Sequence, residues 1–125
     1  MASGSGLMAG KRGLILGVAN NRSIAWGIAR ACADQGAEIA LTYQGEAFRK
    51  RVEPLAAELG AHIAGHCDVT EPESLDAVFD DVKKAFGKID FLVHAIAFSD
   101  KEELDGRYVE TSRENFLRTM DISVY

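Results

Sequence analysis

The sequence predicts an α/β fold, a doubly wound parallel sheet, and three observations carry that prediction. Short apolar runs of strand character alternate with longer stretches of helical periodicity three times along the chain. Each helical stretch runs out at a glycine, Gly36, Gly60 or Gly87, the residue that most readily takes the conformation that ends a helix. The first strand breaks at Gly17 into a turn that opens directly into a helix. Strands joined by helices of this length are parallel, the crossovers are right-handed, and helices cover both faces of the sheet. The expected strand order is 3-2-1-4.

The elements follow in order. Residues 13–18 form the first strand and residues 23–35 the first helix, where Ile24, Ala25, Ile28 and Ala29 recur with helical spacing. Residues 37–43 form the second strand; the helix over 46–59 carries Phe48, Val52, Leu55, Ala56 and Leu59 on one apolar stripe. Residues 62–67 form the third strand, and the helix over 71–86 repeats the pattern with Leu75, Val78, Phe79, Val82 and Phe86. These stripes read as core. Thr70 with Glu73 forms a capping box for that helix, Thr111 with Glu114 a second one for a fourth helix, and residues 89–96 supply the fourth strand.

The turn after the first strand is the strongest chemical signal. Gly17 lets the backbone approach a ligand closely, Ser23 is a good N-cap residue with a hydroxyl to offer, and the free N–H groups and positive dipole end of the helix favour an anion such as phosphate. Gly27, inside the helix, reads as the glycine that permits close helix-to-strand packing in a dinucleotide fingerprint. The positions of the second and third glycines of the usual short-chain dehydrogenase turn hold Asn21 and Ser23 instead.

Composition bounds the remaining function classes. At 125 residues and 47% hydrophobic the chain buries a real core, and it contains no run of about 18 apolar residues to span a membrane. The net charge of −5 argues against general nucleic-acid binding, and the basic run Arg49-Lys50-Arg51 reads as a solvated helix face. Cys32 and Cys67 lack metal-ligand spacing and read as buried free thiols. Residues 1–6 read as a flexible N-terminus or a cloning scar with no secretion signal, and cytoplasm is the expected location. His62, His66 and Asp68 share one strand parity, yet no further ligand is in register, so no metal is expected; His94 reads as a hydrogen-bonded core residue, Trp26 as packing beneath the turn, and residues 100–103 as a solvated loop.

In a sheet of this order, ligands sit beyond the carboxyl ends of the strands at the switch point between strands 1 and 4. The strand ends are Gly17 to Ser23, Tyr43-Gln44, Cys67-Asp68-Val69 and His94 to Ser99. Gly17-Val18-Ala19 with Ser23-Ile24-Ala25-Trp26-Gly27, then Thr42-Tyr43-Gln44, Cys67-Asp68-Val69, His94-Ala95-Ile96-Ala97-Phe98 and Asp121-Ile122-Ser123 resemble the bacterial enoyl-acyl-carrier-protein reductases, a divergent branch of the short-chain dehydrogenases. The resemblance runs from about Leu7 to Tyr125. An ordinary ketoacyl reductase would show Gly-x-x-x-Gly-x-Gly in the first turn and Asn-Asn-Ala-Gly after strand 4; this chain shows neither.

The resemblance implies a Rossmann-type domain whose N-terminal part is residues 7–125, breaking off within the fourth helix, with a sheet that continues to seven strands in the complete family fold. It implies that Gly17, Ser23 and Ile24 hold the pyrophosphate of NADH, that Gln44 lies near the adenosine ribose, that Asp68 accepts from the adenine amino group while Val69 packs on the ring, and that Ile96 borders the nicotinamide ribose. Ala97, Phe98 and Ser99 would begin the substrate wall. Family members reduce the double bond of a trans-2-enoyl thioester on acyl carrier protein in fatty acid biosynthesis, with a homotetramer expected for the full-length protein. Their catalytic tyrosine and lysine, spaced Tyr-x6-Lys, would lie beyond Tyr125; Tyr43 and Lys50 share that spacing but follow strand 2, and read as packing and surface. Neutral Gln44, followed by Gly45 and Glu46, favours NADH over NADPH, because a carboxylate near a 2′-phosphate is unfavourable. A non-catalytic nucleotide-binding module and a short-chain dehydrogenase acting on ketones or alcohols are the alternatives; a downstream Tyr-x6-Lys selects the reductase.

Overall fold

The computed structural model describes residues 6–125, so the expectation for the N-terminal segment lies outside the described residues save at Gly6. The chain forms two compact units that meet in sequence between Ala95 and Ile96. The first contains β1 (Arg12–Leu16), α1 (Ile24–Asp34), β2 (Glu38–Tyr43), α2 (Gly45–Leu59), β3 (His62–His66), α3 (Pro72–Phe86) and β4 (Phe91–His94). All strand pairs are parallel and the order is β3-β2-β1-β4, as the sequence predicts.

Strand periodicity divides the interior into two faces. Ile15, Ile39 and Leu41 join Ala25, Trp26, Ala29 and Ala33 of α1 and Val52, Ala56 and Leu59 of α2 in one core. Leu14, Leu16 and Ala40 alternate with them, are equally buried, and belong to the opposite face. The crossover through α3 runs in the opposite sense along the sheet, packs on β3 and brings buried Val78 and Val82 to that second face. Burying side chains such as Leu41 or Val52 contributes about 1.5–3 kcal/mol each. Trp26 is buried in the same core as Val18 and Ala25.

Close packing is achieved by residues other than the one the fingerprint suggests. A methyl added at Gly27 would meet nothing, and Gly27 is exposed. Besides Trp26, the buried face of α1 is made of Ala25, Ala29 and Ala33 at every fourth position, and these small side chains set its approach to β1 and β2. The tight glycine is Gly13, opposite Phe91 in the parallel ladder: the Phe91 ring lies over it where a Cβ would be. At the amino ends of the strands Arg12 ties four segments together. Its Nε pairs with Glu38, its guanidinium donates to the Phe86 carbonyl, and its backbone N–H donates to Asp90.

Several sequence expectations are corrected. Phe79 is 42% exposed, so the α3 stripe narrows to Val78 and Val82, flanked by half-buried Leu75 and Phe86. Glu71 occupies the N-cap position of α3 without a side-chain bond to the helix, with Pro72 in the first turn, and Thr70 makes no cap because its hydroxyl donates to Asp68. The ladder of β4 spans only Phe91–His94, with Asp90 N–H donating to the Arg12 carbonyl and Ala95 N–H to the Leu16 carbonyl at its two ends. His94 is exposed: β4 is an edge strand, and although His94 shares a face with its ladder partner Leu16, the helix on that face, α3, packs on β3 at the other edge.

The second unit, residues 96–125, contains two single-turn helical segments, Lys101–Glu103 and Tyr108–Glu110, and α4 (Arg113–Ser123). The cap of α4 is Ser112, whose Oγ accepts from Asn115 N–H, in place of the expected Thr111. Glu103 selects Ser112 by accepting from both its N–H and its hydroxyl, and these two bonds hold the Glu103 carboxyl below its ordinary range. Residues 100–103 are therefore more than a solvated loop: Asp100 pairs with Arg118, and its N–H donates to the buried Asn115.

Gly13→Ala should destabilise the fold by roughly 1–3 kcal/mol through overpacking against Phe91. Combining it with Phe91→Leu should recover part of that loss, so that urea unfolding of the four proteins of the cycle shows coupling. Strict additivity would mean that the ring does not depend on the missing side chain.

Candidate functional site

The turn between β1 and α1 is shaped by two residues. Gly17 has φ of +112°, and a Cβ there would overlap the Ala95 carbonyl oxygen, so only glycine lets the chain turn this close to the segment that follows β4. Ser23 takes extended backbone geometry at the N-cap of α1, but its hydroxyl does not cap the helix. Its Oγ accepts from the N–H groups of Ala19 and Asn20, at 3.0 and 3.1 Å, and folds the turn back on itself. Both acceptor positions of the hydroxyl are then used, leaving its own proton to donate. Among the described residues the N–H groups of Ile24 and Ala25 find no partner, and the Ile24 side chain is 80% exposed at the helix entrance. A hydroxyl and two N–H groups at the positive end of a helix form an arrangement suited to an anion.

The carboxyl ends of β2 and β3 are bound to each other. Cys67 N–H donates to the Tyr43 carbonyl and extends the ladder past the last strand residue. Gln44 Nε2 donates to Asp68 Oδ2 at 3.2 Å, so the structure brings together the two residues that the sequence points to at this end. Asp68 Oδ1 accepts from the Thr70 hydroxyl and the Thr70 N–H, at 2.7 and 2.9 Å. These Thr70 bonds, followed by Gln44 and the nearby His66, hold the Asp68 carboxyl below the usual aspartate value. Ser74 completes the loop: its Oγ accepts from Asp68 N–H and donates toward the Asp68 and Glu71 carbonyls. Val69 sits half-buried beside this frame.

His66 is the residue at this end whose role sequence reasoning missed. The ladder between β2 and β3 shifts register after Leu41, where Gly65 has φ of +127°, and the shift reverses the parity of the later strand residues. His62 consequently pairs with Asp81 and packs near Phe86 of α3, whereas His66 accompanies Tyr43 and reaches the start of α2. The shared parity read from sequence is therefore broken by one extra residue. Among the described residues no three His, Cys, Asp or Glu side chains converge as metal ligands. Tyr43 is half-buried between His66 and the Arg49 guanidinium, and Lys50 is exposed. Burial raises the pKa of both thiols, Cys32 and Cys67.

Ile96, Ala97, Phe98 and Ser99 lie in the second unit, where they lead without regular secondary structure into the loop. Ser123 fixes Phe98 there, its Oγ accepting from Phe98 N–H at 3.0 Å. Ser99 Oγ receives hydrogen bonds from Asn115 Nδ2 and the Thr119 hydroxyl, both at 3.1 Å. Ser99 also lines an open cavity of about 330 Å³ together with Leu104, Tyr108, Phe116 and Met120. Asn115, 2% exposed, organises this unit, and no periodicity in the sequence marks it.

The depressed Asp68 value has a definite sign. Because the folded carboxyl titrates below its unfolded counterpart, near 3.9, its contribution to stability is fully present above about pH 4 and is lost as pH falls through the folded value. Thr70→Val should raise the Asp68 carboxyl pKa in a ¹³C NMR titration, and the stability gap between wild type and Asp68→Asn should narrow below about pH 4. An unchanged titration in Thr70→Val would show that the hydroxyl does not hold the carboxylate.

With this geometry in place, the comparisons with known proteins converge. A family model described as enoyl-(acyl carrier protein) reductase matches residues 17–125. The Rhizobium meliloti (strain 1021) protein named enoyl-acyl-carrier-protein reductase (NADH) 1 is 72% identical over all 125 residues, which correspond to 46% of its length. The crystal structure of the Anaplasma phagocytophilum enoyl-acyl-carrier-protein reductase in complex with NAD matches with a TM-score of 0.89 at 54% identity, over 98% of this chain and 47% of that one. The Bacillus cereus enoyl-acyl-carrier-protein reductase, solved with NADP+ and indole naphthyridinone, matches with a TM-score of 0.86 at 42% identity, over 94% of this chain and 46% of that one. The chain spans about half the length of the curated relatives it matches. Matched in sequence over residues 17–125 and in fold over nearly all its length, the chain belongs to the enoyl-acyl-carrier-protein reductase family.

Proposed function

We propose that the protein carrying this chain reduces trans-2-enoyl-acyl-carrier-protein to acyl-carrier-protein in fatty acid biosynthesis, using NADH, and that this stretch supplies the dinucleotide-binding half of the site. The observation that carries the reading is the 72% identity, across the whole chain, to a protein named as the NADH-dependent reductase. The geometry supports it: an anion-suited turn at the end of β1 and a polar frame at the ends of β2 and β3 lie along one edge of a parallel sheet, where such folds bind ligands.

Each residue has a task that its chemistry allows. Gly17 admits the pyrophosphate to the backbone, the Ser23 hydroxyl donates its remaining proton, and Ile24 presents its free N–H. Gln44, already directed to Asp68 through one amide proton, has a second amide proton and a carbonyl for the adenosine ribose. Asp68, kept ionised, accepts from the adenine amino group, and Val69 offers an apolar edge to the ring. Ile96 borders the nicotinamide ribose, while Ala97, Phe98 and Ser99 begin the wall for the acyl substrate. NADH, when bound, supplies the hydride that reaches the β-carbon of the enoyl thioester. The same reading makes the protein a cytoplasmic homotetramer with no nucleic-acid or membrane partner; no described helix is long and apolar enough to cross a membrane.

The choice of dinucleotide is decided at the end of β2. The cation nearest in sequence, Arg49, donates through Nε to Glu53 at 2.7 Å, lies 3.4 Å from Glu46 and sits over the Tyr43 ring. It is matched by two carboxylates, and Glu46 itself would face a 2′-phosphate with like charge. Catalytic efficiency of the protein carrying this chain, measured on a trans-2-enoyl thioester, should be at least tenfold higher with NADH than with NADPH. A preference for NADPH would overturn the cofactor assignment, and no reduction with either cofactor would overturn the reaction.

A further inference from the structure

We infer that His66 is a positioning residue for the adenosine end of the cleft: its imidazole, reaching across from β3, acts as the cap of α2 and holds the Gln44–Gly45 turn where Gln44 meets the dinucleotide. This inference rests on the dinucleotide reading above and goes beyond it in assigning a residue that acts through another, Gln44.

Three observations carry it. The turn into α2 has no cap of its own: Gln44 occupies the N-cap position without a side-chain bond to the helix, and Gly45 enters with φ of +80°. The Gly45 N–H, one of the orphan donors of the first turn, donates instead to His66 Nδ1 at 2.9 Å. The other ring nitrogen, Nε2, lies 3.0 Å from Glu71 Oε2. A carboxylate only accepts, so Nε2 carries the proton and Nδ1 is left as the acceptor that Gly45 requires. Glu71 thus selects the tautomer, and the ring packs against Tyr43 at 6.4 Å between centroids.

The consequence is a turn pinned from two sides by one strand end. His66 holds its backbone through Gly45, and Asp68, two residues further on, holds its side chain through Gln44. The Tyr43 carbonyl, receiving Cys67 N–H between them, keeps the two anchors in register. Removing the Gly45 anchor frees the backbone that carries Gln44, while the chemistry at the nicotinamide end is untouched. The expected signature is a change in NADH affinity without a change in turnover.

The test uses the protein carrying this chain, with NADH titrated by nicotinamide fluorescence and the steady-state KM and kcat measured alongside. Asparagine places its carbonyl oxygen close to the Nδ1 position; glutamine reaches the Nε2 position and leaves Nδ1 empty. His66→Asn should stay within about twofold of wild type, whereas His66→Gln and His66→Leu should raise the Kd and KM for NADH about 3- to 10-fold, the worth of one hydrogen bond, with kcat nearly constant. Should His66→Leu fail to fold, the Asn and Gln pair decides alone. His66→Gln binding as tightly as wild type, or a loss confined to kcat, would overturn the inference. Asp68→Ala separates the two levels: weaker NADH binding there with unaltered His66 variants rejects only the role of His66, whereas unaltered affinity in Asp68→Ala rejects the placement of the dinucleotide and the inference with it.

Discussion

The candidate site depends first on a side chain that is missing. Because a Cβ at Gly17 would overlap the Ala95 carbonyl, the chain leaving β1 can run against the segment leaving β4 only if residue 17 is glycine, in a region of backbone space that other residues rarely enter. That close approach fixes where α1 begins. It turns the first free N–H groups of the helix toward the carboxyl edge of the sheet, and it obliges some other group to satisfy the N–H donors of the intervening loop. Ser23 does so for Ala19 and Asn20. A residue well suited to capping its own helix is spent on the turn before it, and the helix end stays open for a ligand.

The ends of β2 and β3 follow the same logic with different groups. Gln44 at the N-cap of α2 makes no bond to the helix, and Glu71 at the N-cap of α3 makes none either. Their side chains go to Asp68 and His66, and those two in turn hold the neighbouring strand end. Three consecutive helix entrances thus forgo a cap from their own N-cap side chain, a bond worth about 1 kcal/mol where it forms, and at α2 His66 supplies one from outside the helix. The polar groups that would have closed them form a network along one edge. The local loss is tolerable because tertiary burial, and not helix capping, stabilises α1 and α2.

The fold was legible because its signals are periodic and repeated. Strand order, the glycines that follow the helices and most of the expected apolar residues of α1 and α2 appear in the structure, since a pattern carried by ten or more residues outweighs single exceptions such as Phe48, which lies outside the core, and Ile24, which is exposed. What escaped depends on one residue each. Gly27 follows the fingerprint but faces open space, because alanines at positions 25, 29 and 33 already supply the small face. Thr111 and Ser112 are both good caps, and Glu103, nine residues upstream, decides between them. His62 and His66 share a parity on paper that a single extra residue, Ala64, between the paired Ile63 and Gly65 reverses. Phe79 lies in the helical stripe of α3, yet only Val78 and Val82 of that stripe are fully buried. Asn115 was invisible because a buried amide is defined by its partners, Asp100, Ser99 and Ser112, and not by its spacing.

Residues of the proposed cofactor edge were nevertheless picked out by sequence, and the reason is physical. Along each strand the middle positions are apolar and obey the period of the sheet, as Leu14-Ile15-Leu16 and Ile39-Ala40-Leu41 do. At the carboxyl ends that rule stops: Gly17, Gln44 and Asp68 add nothing to the core, and two of them would be poor strand residues anywhere. Residues that break the local pattern at the same end of three adjacent parallel strands have one property in common, the place where the topology brings them together. That is why the proposed site rests on a pattern of exceptions and not on one motif, and why the part His66 plays was harder to see: it occupies a strand position, and the sequence marks it only by the parity it shares with His62 and Asp68.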